Sequence, residues 1–320
     1  MHKTFNFDFI GKRKLFFTIS IVLVAFSILS TFIFGVDLDI QFKGGTIITY
    51  VYDGDLDCDS FVNDAKEILG GAGVKYTTGV DFSSGKSNIQ LSLTSTSGLS
   101  SDKQFELTNA LTEKYAENNI DLIESSDVSP SSGREFFLKC IVAVILSSIV
   151  LIIYIAVRFK KIGGWLAGIC AIIALLHDCI IVYGTFIVCG MPINANFMAV
   201  VLTILGYSIN NTIVIYDRIR ENSKLYGKKM TREENVNLSI NQSLTRSINT
   251  SLTTVVAMLA VTIVAAVYGV TSIISFSLPV MVGMIAGTYS SVCLVSVLWS
   301  YFEGKKDAHK GAPKAAAKQA

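Results

Sequence analysis

His177 and Asp178 place an imidazole and a carboxyl side by side, about a dozen residues from either end of the apolar run Trp165–Cys189. Ionisable groups at that depth in an apolar helix are costly and are functional candidates by default. The chemistry open to the pair is the uptake and release of a proton. A carboxyl that alternates between its acid and its anion changes its preferred partner, so proton entry can shift helix packing. A second polar group, Thr203, Tyr207, Asn210 and Asn211, falls on one helical face by its i, i+4, i+7, i+8 spacing in the run Ile193–Tyr216. A third, Arg246 with Asn249, Thr250, Ser251, Thr253 and Thr254, stands at the mouth of the next run. An arginine and an aspartate enter a helix bundle together if they pair or reach water. A fourth, Asp217-Arg218 with Arg220-Glu221, reads as a solvated helix end. A potential of 100 mV supplies about 2.3 kcal/mol per charge moved. That biases a two-state element but does not unfold a protein, so any pulling needs repeated cycles.

The elements that must position these groups are six apolar runs: Leu15–Phe34, Phe136–Val157, Trp165–Cys189, Ile193–Tyr216, Ile248–Val270 and Phe276–Phe302. Each meets the roughly 20 residues that a helix needs to cross a bilayer. With 51% hydrophobic and 16% charged residues, the composition excludes an ordinary soluble domain. The chain therefore reads as an α-helical polytopic membrane protein. The first run is longer than a signal-peptide core and lacks a small-residue cleavage site, which predicts an uncleaved anchor. Charge divides by segment: Gly35–Glu135 holds 17 acidic and 7 basic residues, and the short loops elsewhere are basic. Lys12, Arg13 and Lys14, the Arg158–Lys161 loop, the Arg218–Arg232 loop and the lysine-rich tail fall on one side if every run spans. The positive-inside rule then predicts that both termini are cytoplasmic.

The segment 35–133 reads as a small external α+β domain. Strands are expected at Thr46–Tyr52, Val74–Phe82, Asn88–Thr94 and Ile120–Ile123. Helices are expected at Asp59–Leu69 and at Ser101–Glu117, the latter with apolar Phe105, Leu107, Leu111 and Tyr115. The order βαββαβ is the ferredoxin-like arrangement. Asp127–Gly133 reads as a hinge-like linker. Residues 1–14 form an N-terminal stub, 15–34 the first span, and 134–302 the remaining spans, with a cytoplasmic amphipathic segment over 217–247. Within it, Thr231 and Glu234 fit a capping box, and Val236, Ile240, Leu244 and Ile248 predict an interfacial helix. Residues 303–320 read as a disordered tail. Gly164/Gly168 and Gly283/Gly287 are small-xxx-small pairs that predict close helix packing. Five of the six cysteines lie in or beside spans and Cys58 is alone outside, so neither a disulfide nor a metal site is expected. There is no Gly-x-Ser-x-Gly, His-Glu-x-x-His or phosphate-cradling glycine loop. The chain is accordingly expected not to be an enzyme, and to need no cofactor and no nucleic-acid partner.

Four motifs in order carry a resemblance over nearly the whole chain. Gly206-Tyr207-Ser208-Ile209-Asn210-Asn211-Thr212-Ile213-Val214-Ile215-Tyr216-Asp217-Arg218-Ile219-Arg220-Glu221-Asn222 resembles the signature of the SecF family of protein-export membrane subunits. Asp39-Ile40-Gln41-Phe42-Lys43-Gly44-Gly45-Thr46 is similar to the motif that follows the first span of that family. Leu176-His177-Asp178 and Arg246–Thr254 are similar to two more. The resemblance implies an auxiliary subunit of the Sec translocase in the bacterial cell membrane. It implies SecD as direct partner, the SecYEG channel and SecA as indirect ones, and exported preproteins as clients. It also implies kinship with proton-driven RND exporters and use of the transmembrane proton gradient. One departure stands out: the family usually carries Asp where this chain has Asn211, and an amide does not hold and release a proton near neutral pH. Three explanations stay open. His177 or Asp178 takes over, the acidic groups lie in SecD, or the chain is an uncoupled scaffold; sodium as the coupling ion is a weaker fourth. The alternative functional reading is an RND-type half-transporter for a small molecule or lipid.

Overall fold

The computed structural model of the chain describes residues 7–71, 73–81, 84–93, 99–226 and 229–311, the last seven by backbone alone. Among the described residues, six helices are long and apolar enough to span a bilayer: Arg13–Phe34 (α1), Pro130–Arg158 (α5), Gly164–Val188 (α6), Ala195–Tyr226 (α7), Arg232–Val267 (α8) and Thr271–Gly304. The last is one continuous span in three parts: α9 (Thr271–Ser290), a π turn (Ser291–Val295) and α10 (Ser296–Gly311). More than half of the most apolar stretch of α7 and of the last span is covered by protein, against 17% for α1 and 11% for α5. The last span, α6 and α7 are therefore the interior of the bundle, and α1, α5 and α8 leave broad apolar faces for lipid.

The external domain has the anticipated order. After a one-turn helix, α2 (Ile40–Lys43), come β1 (Gly45–Tyr52), α3 (Cys58–Ile68), β2 (Val74–Val80), β3 (Ser87–Leu93), α4 (Ser101–Lys114) and β4 (Asp121–Val128). All pairings are antiparallel in the order β2-β3-β1-β4, so β3 is inserted between β1 and β2, as a split βαβ unit requires. Alternate residues Ile48, Tyr50, Ile89 and Leu91 point at α3 and α4, where Phe61, Ala65, Leu107 and Leu111 complete a core with almost no exposure. Asp57 caps α3 by accepting from the amides of Asp59 and Ser60.

Several expectations are corrected. Phe105 is 70% exposed, because at 100° per residue it lies on the opposite side of α4 from Leu107. The last strand runs to Val128, not Ile123. Its polar half, Glu124 to Asp127, pairs with β1 through main-chain groups that carry no apolar alternation, and Ile123 is the extra residue of a bulge. The hinge over Asp127–Gly133 does not exist as such: strand passes to helix through Ser129 alone, whose Oγ accepts from Ser132 N (3.2 Å), with Pro130 at the first helical position. The amphipathic segment is the first third of α8. The Thr231–Glu234 capping box is formed, but Val236 and Ile240 are fully covered by protein instead of lying at the lipid interface. The N-terminal stub lies across this segment: Phe7 N and Phe9 N donate to the side chains of Asn241 (2.9 Å) and Asn237 (2.8 Å). Helix α10 continues to Gly311, inside the stretch read as tail. Residues 1–6, Phe82, Thr94 and 312–320, on which parts of the stub, strand and tail readings fall, lie outside the described residues.

The motif after the first span fastens the external domain to the bundle. Ile193 N donates to Asp37 O (2.8 Å), Asp39 N donates to Ile193 O (3.1 Å), and Gln41 Oε1 accepts from Ala195 N (3.1 Å) at the start of α7. Asp39 caps α2 through Gln41 N (2.9 Å). Burial pushes the Asp39 carboxyl above its ordinary range, against the lowering effects of Gln41 N–H and Lys43. An acid whose folded pKa is raised destabilises the fold above that pKa, and the strain relaxes as pH falls through it. Asp39→Asn is therefore expected to keep the cap and flatten the pH dependence of melting on the alkaline side of the ordinary carboxylate range. Asp39→Ala is expected to lose about 1 kcal/mol at every pH. Melting of the purified chain by circular dichroism across that range checks both.

Candidate functional site: a buried carboxyl shared by three spans

Asp178 is fully buried and His177 is 7% exposed, both on α6. Close packing of α9 on α7 brings hydroxyls to them. A methyl group at Gly283 would stand 2.7 Å from Ile204, and one at Gly287 would stand 2.9 Å from Ser208 Cβ. Glycine at both positions lets the two backbones approach. Asp178 Oδ2 accepts from Ser208 Oγ of α7 (2.7 Å) and from Ser290 Oγ at the end of α9 (2.8 Å), and Oδ1 lies 3.0 Å from His177 Nδ1. Directly beyond Ser290 the helix opens into the π turn, a feature frequent at functional sites. There Ser291 Oγ donates to Ser208 O (3.0 Å) and meets Thr212 Oγ1 (3.0 Å). One carboxyl thus joins α6, α7 and α9.

Both protonation states fit this cage. The anion accepts from two hydroxyls and from an Nδ1–H; the acid donates to a bare Nδ1 with the ring proton moved to Nε2. His177 Nε2 is buried without a hydrogen-bond partner among the described residues, beside the Tyr289 ring (centroids 6.2 Å apart). Proton arrival at Asp178 can therefore be registered at the far nitrogen of His177.

The remaining candidates divide. Asn211, 3% exposed, lies on the buried face of α7 one turn from Ser208, and its amide nitrogen has no partner among the described residues. Asn210 and Thr203 are exposed, so the single polar face expected for Thr203, Tyr207, Asn210 and Asn211 is split, because residues 210 and 211 straddle the edge of the buried stripe. Tyr207 is half-buried, its hydroxyl 3.1 Å from Thr254 Oγ1 on α8. Thr250 and Arg246 are exposed on α8. Arg246 makes no ion pair among the described residues, and the partners of Asp178 are His177 and two serines instead. Asp217 binds Arg220 (2.5 Å) and Arg158 (3.2 Å), and Arg218 binds Glu221 (2.6 Å) and Gln242 (2.7 Å), all partly exposed at the helix ends. Such pairs contribute at most about 1 kcal/mol each.

Gly44, Gly45 and Thr46 lie far from the carboxyl, at the root of the external domain. A methyl at Gly44 would stand 2.6 Å from Pro130 Cα and one at Gly45 2.2 Å from Leu93 O; both glycines have positive φ. Thr46 Oγ1 donates to Asp127 and accepts from Leu99 N (3.0 Å). The sequence reading missed Ser208, Ser290, Ser291 and Thr212 as members of the site. Its available signal was a Ser-Ser pair inside an otherwise apolar run.

Residues 107–305 match the family model described as protein export membrane protein SecD/SecF, C-terminal. The chain is 34% identical over 301 residues to a Protein translocase subunit SecF of Rickettsia bellii, covering 94% of this chain and 95% of that one. It is 35% identical to the same-named protein of Petrotoga mobilis, covering 91% and 94%. Among solved structures it is similar to SecDF, a translocon-associated membrane protein from Thermus thermophilus, with a TM-score of 0.78 and 30% identity. A SecDF crystal structure in a super-membrane-facing form gives a TM-score of 0.67 and 31% identity. In both, 95% of this chain is covered but only 40% of the SecDF chain.

Proposed function

Because the chain belongs to the SecD/SecF family of protein-export membrane proteins, we propose that it is a SecF-like auxiliary subunit of the bacterial Sec translocase, promoting export of preproteins by use of the transmembrane proton gradient, and not an enzyme. The observation that carries the coupling is the Asp178 carboxyl, buried and shared by α6, α7 and α9, with hydrogen bonds available to both its protonation states. A change of charge there alters how three spans are held together. The connection between α6 and α7 is tied to the root of the external domain through Ile193, and the start of α7 through Ala195, so a rearrangement of those spans reaches the segment that meets the exported chain. SecD is the proposed partner. This chain aligns with 40% of a SecDF chain, and its spans leave Asn210, Arg246 and Thr250 exposed where lipid would penalise them. A second polypeptide of the same kind covers such a face. In this arrangement the basic loops and both termini are cytoplasmic and the acidic domain is outside.

The test is export of a secreted reporter by cells that carry Asp178→Asn, with and without an uncoupler. Gradient-dependent export should fall and the uncoupler-resistant part should persist; equal export by both chains would favour the uncoupled scaffold. A half-transporter for small molecules would instead leave reporter export untouched. Asn211→Asp adds a titratable group on the same buried face and removes an unpartnered amide donor. Its expected result is a larger uncoupler-sensitive share of export, by about twofold or more, in a chain of unchanged yield. No change would centre the coupling on α6.

A further inference from the structure

Beyond Asp178 the last span carries a file of polar groups that starts beside the carboxyl cage, at Ser291, and runs away from it. Ser291, Ser296, Ser300 and Glu303 follow at steps of five, four and three residues. Through a π turn and then an α-helix, those steps keep them on one face. Ser291 and Ser296 are fully buried, and Ser300 is 5% exposed. The hydroxyls of Ser296 and Ser300, and the indole N–H of the 4%-exposed Trp299 between them, have no hydrogen-bond partner among the described residues. Elsewhere on these spans helical hydroxyls fold back on their own backbone, as buried Thr262 does to Met258 O (2.8 Å) and half-buried Thr288 to Met284 O (2.8 Å). Buried polar groups are as a rule satisfied by protein or by water. Three orphans in succession therefore mark places for ordered water.

The last span meets α6 at both ends of this stretch. At one end Ser290 donates to Asp178. Thirteen residues on, about 20 Å along the helix, the Glu303 carboxylate packs on Gly163, the N-cap of α6, where a methyl group would stand 2.9 Å from its oxygen. Between these points the buried face of α6 is built from small side chains: Ala167, Cys170, Ala171 and Ala174. The two helices run antiparallel, pinned at both ends, with unpartnered hydroxyls on α10 and methyl-sized groups on the buried face of α6.

We propose that the seam between α6 and α10 is a water track through which protons pass between Asp178 and the solution at the Glu303 end of the bundle. The inference rests on the reading of Asp178 as a proton site. The ligands are water and hydronium. A serine hydroxyl both accepts and donates, so it passes a proton on and ends with the number it began with; the Trp299 N–H only donates and so anchors a water. Glu303 takes the proton at the mouth and returns it to bulk water. The titratable groups facing the track are His177, Asp178 and Cys170 on α6, Tyr216 on α7, and Cys293 and Glu303 on the last span. Arg232 of α8 stands over the Trp299 ring (6.0 Å) at the mouth.

The test uses the full chain, with its six cysteines replaced, in membrane vesicles that expose the Glu303 end. Ser296→Cys and Ser300→Cys are expected to react with a small charged methanethiosulfonate at least tenfold faster than Leu146→Cys on the exposed apolar face of α5. Rates equal to that control would overturn the track. In the otherwise native chain, Ser300→Leu should cut proton flux into proteoliposomes at least tenfold at equal reconstitution, and Ser300→Thr, which keeps the hydroxyl, should retain most of it. Native flux in Ser300→Leu would also overturn the proposal. Failure of labelling leaves the role of Asp178 standing, whereas unchanged export in Asp178→Asn removes that role and leaves the labelling intact, so the two failures are distinguishable.

Discussion

Asp178→Asn is expected to lower gradient-dependent export at least tenfold while the chain still inserts and folds. Asn has the shape of Asp and keeps one acceptor, and the hydroxyls of Ser208 and Ser290 can turn to accept from its NH2. The cage survives; the exchangeable proton does not. A tenfold loss corresponds to about 1.4 kcal/mol, less than the roughly 2.3 kcal/mol that 100 mV supplies per charge, so loss of one proton step is large enough to account for it. Asp178→Ala differs in kind. It strands Ser208 and His177 without their shared partner, at about 1–3 kcal/mol for each unsatisfied group, while Ser290 keeps only Gly287 O (3.2 Å), and it should lower yield as well as export. Pulse-labelled export of a reporter, normalised to membrane-inserted chain, separates the two. Full export by a well-inserted Asp178→Asn chain would remove the carboxyl from any coupling role.

Gly45→Ala should be the most damaging change outside the bundle, at about 3 kcal/mol or more. Two costs act together. The backbone stands at φ +143°, where a side chain is strained by about 1–3 kcal/mol. The new methyl would also meet the main-chain oxygen of Leu93 at 2.2 Å, and backbone in a paired strand cannot move aside as a flexible side chain would. Relief requires β1 to part from β3, which would disturb the neighbouring Thr46–Asp127 tie to β4. Gly35→Ala is the control: its φ is also positive, but nothing lies within 4 Å of the added methyl, so only the conformational cost remains. Limited proteolysis of the segment 35–129 in the purified chain should show Gly45→Ala cut at a temperature several degrees lower than native, with Gly35→Ala between them. Equal resistance of the two variants would show that the approach to Leu93 is not rigid.

Much of the architecture was legible because its signals are local. A span is recorded in the length of an apolar run, a strand in alternation, and the start of α8 in the spacing of Thr231 and Glu234. The errors arose where a neighbour decides. Glu124 to Asp127 look like loop, yet they pair with β1, because an edge strand can be held by main-chain bonds alone. Val236 and Ile240 look like a lipid-facing stripe, yet protein covers them, since hydropathy does not distinguish a lipid tail from a leucine. Whether Arg246 pairs with Asp178 is left open by the sequence, and in the structure the cage is closed by His177 and two serines.

From sequence alone came the six spans, the βαββαβ order, the family, and the depth of His177 and Asp178 in an apolar helix. The family follows from the resemblance of four motifs, and the rest from composition and period, which each segment carries by itself. Only the tertiary structure decided what surrounds the carboxyl. Ser208 and Ser290 lie 30 and 112 residues from Asp178 along the chain, and a serine within an apolar run looks the same whether it bonds its own helix or a buried acid. Which hydroxyl meets which carboxyl depends on how closely α9 approaches α7 at Gly283 and Gly287, and that distance is a property of packing between helices.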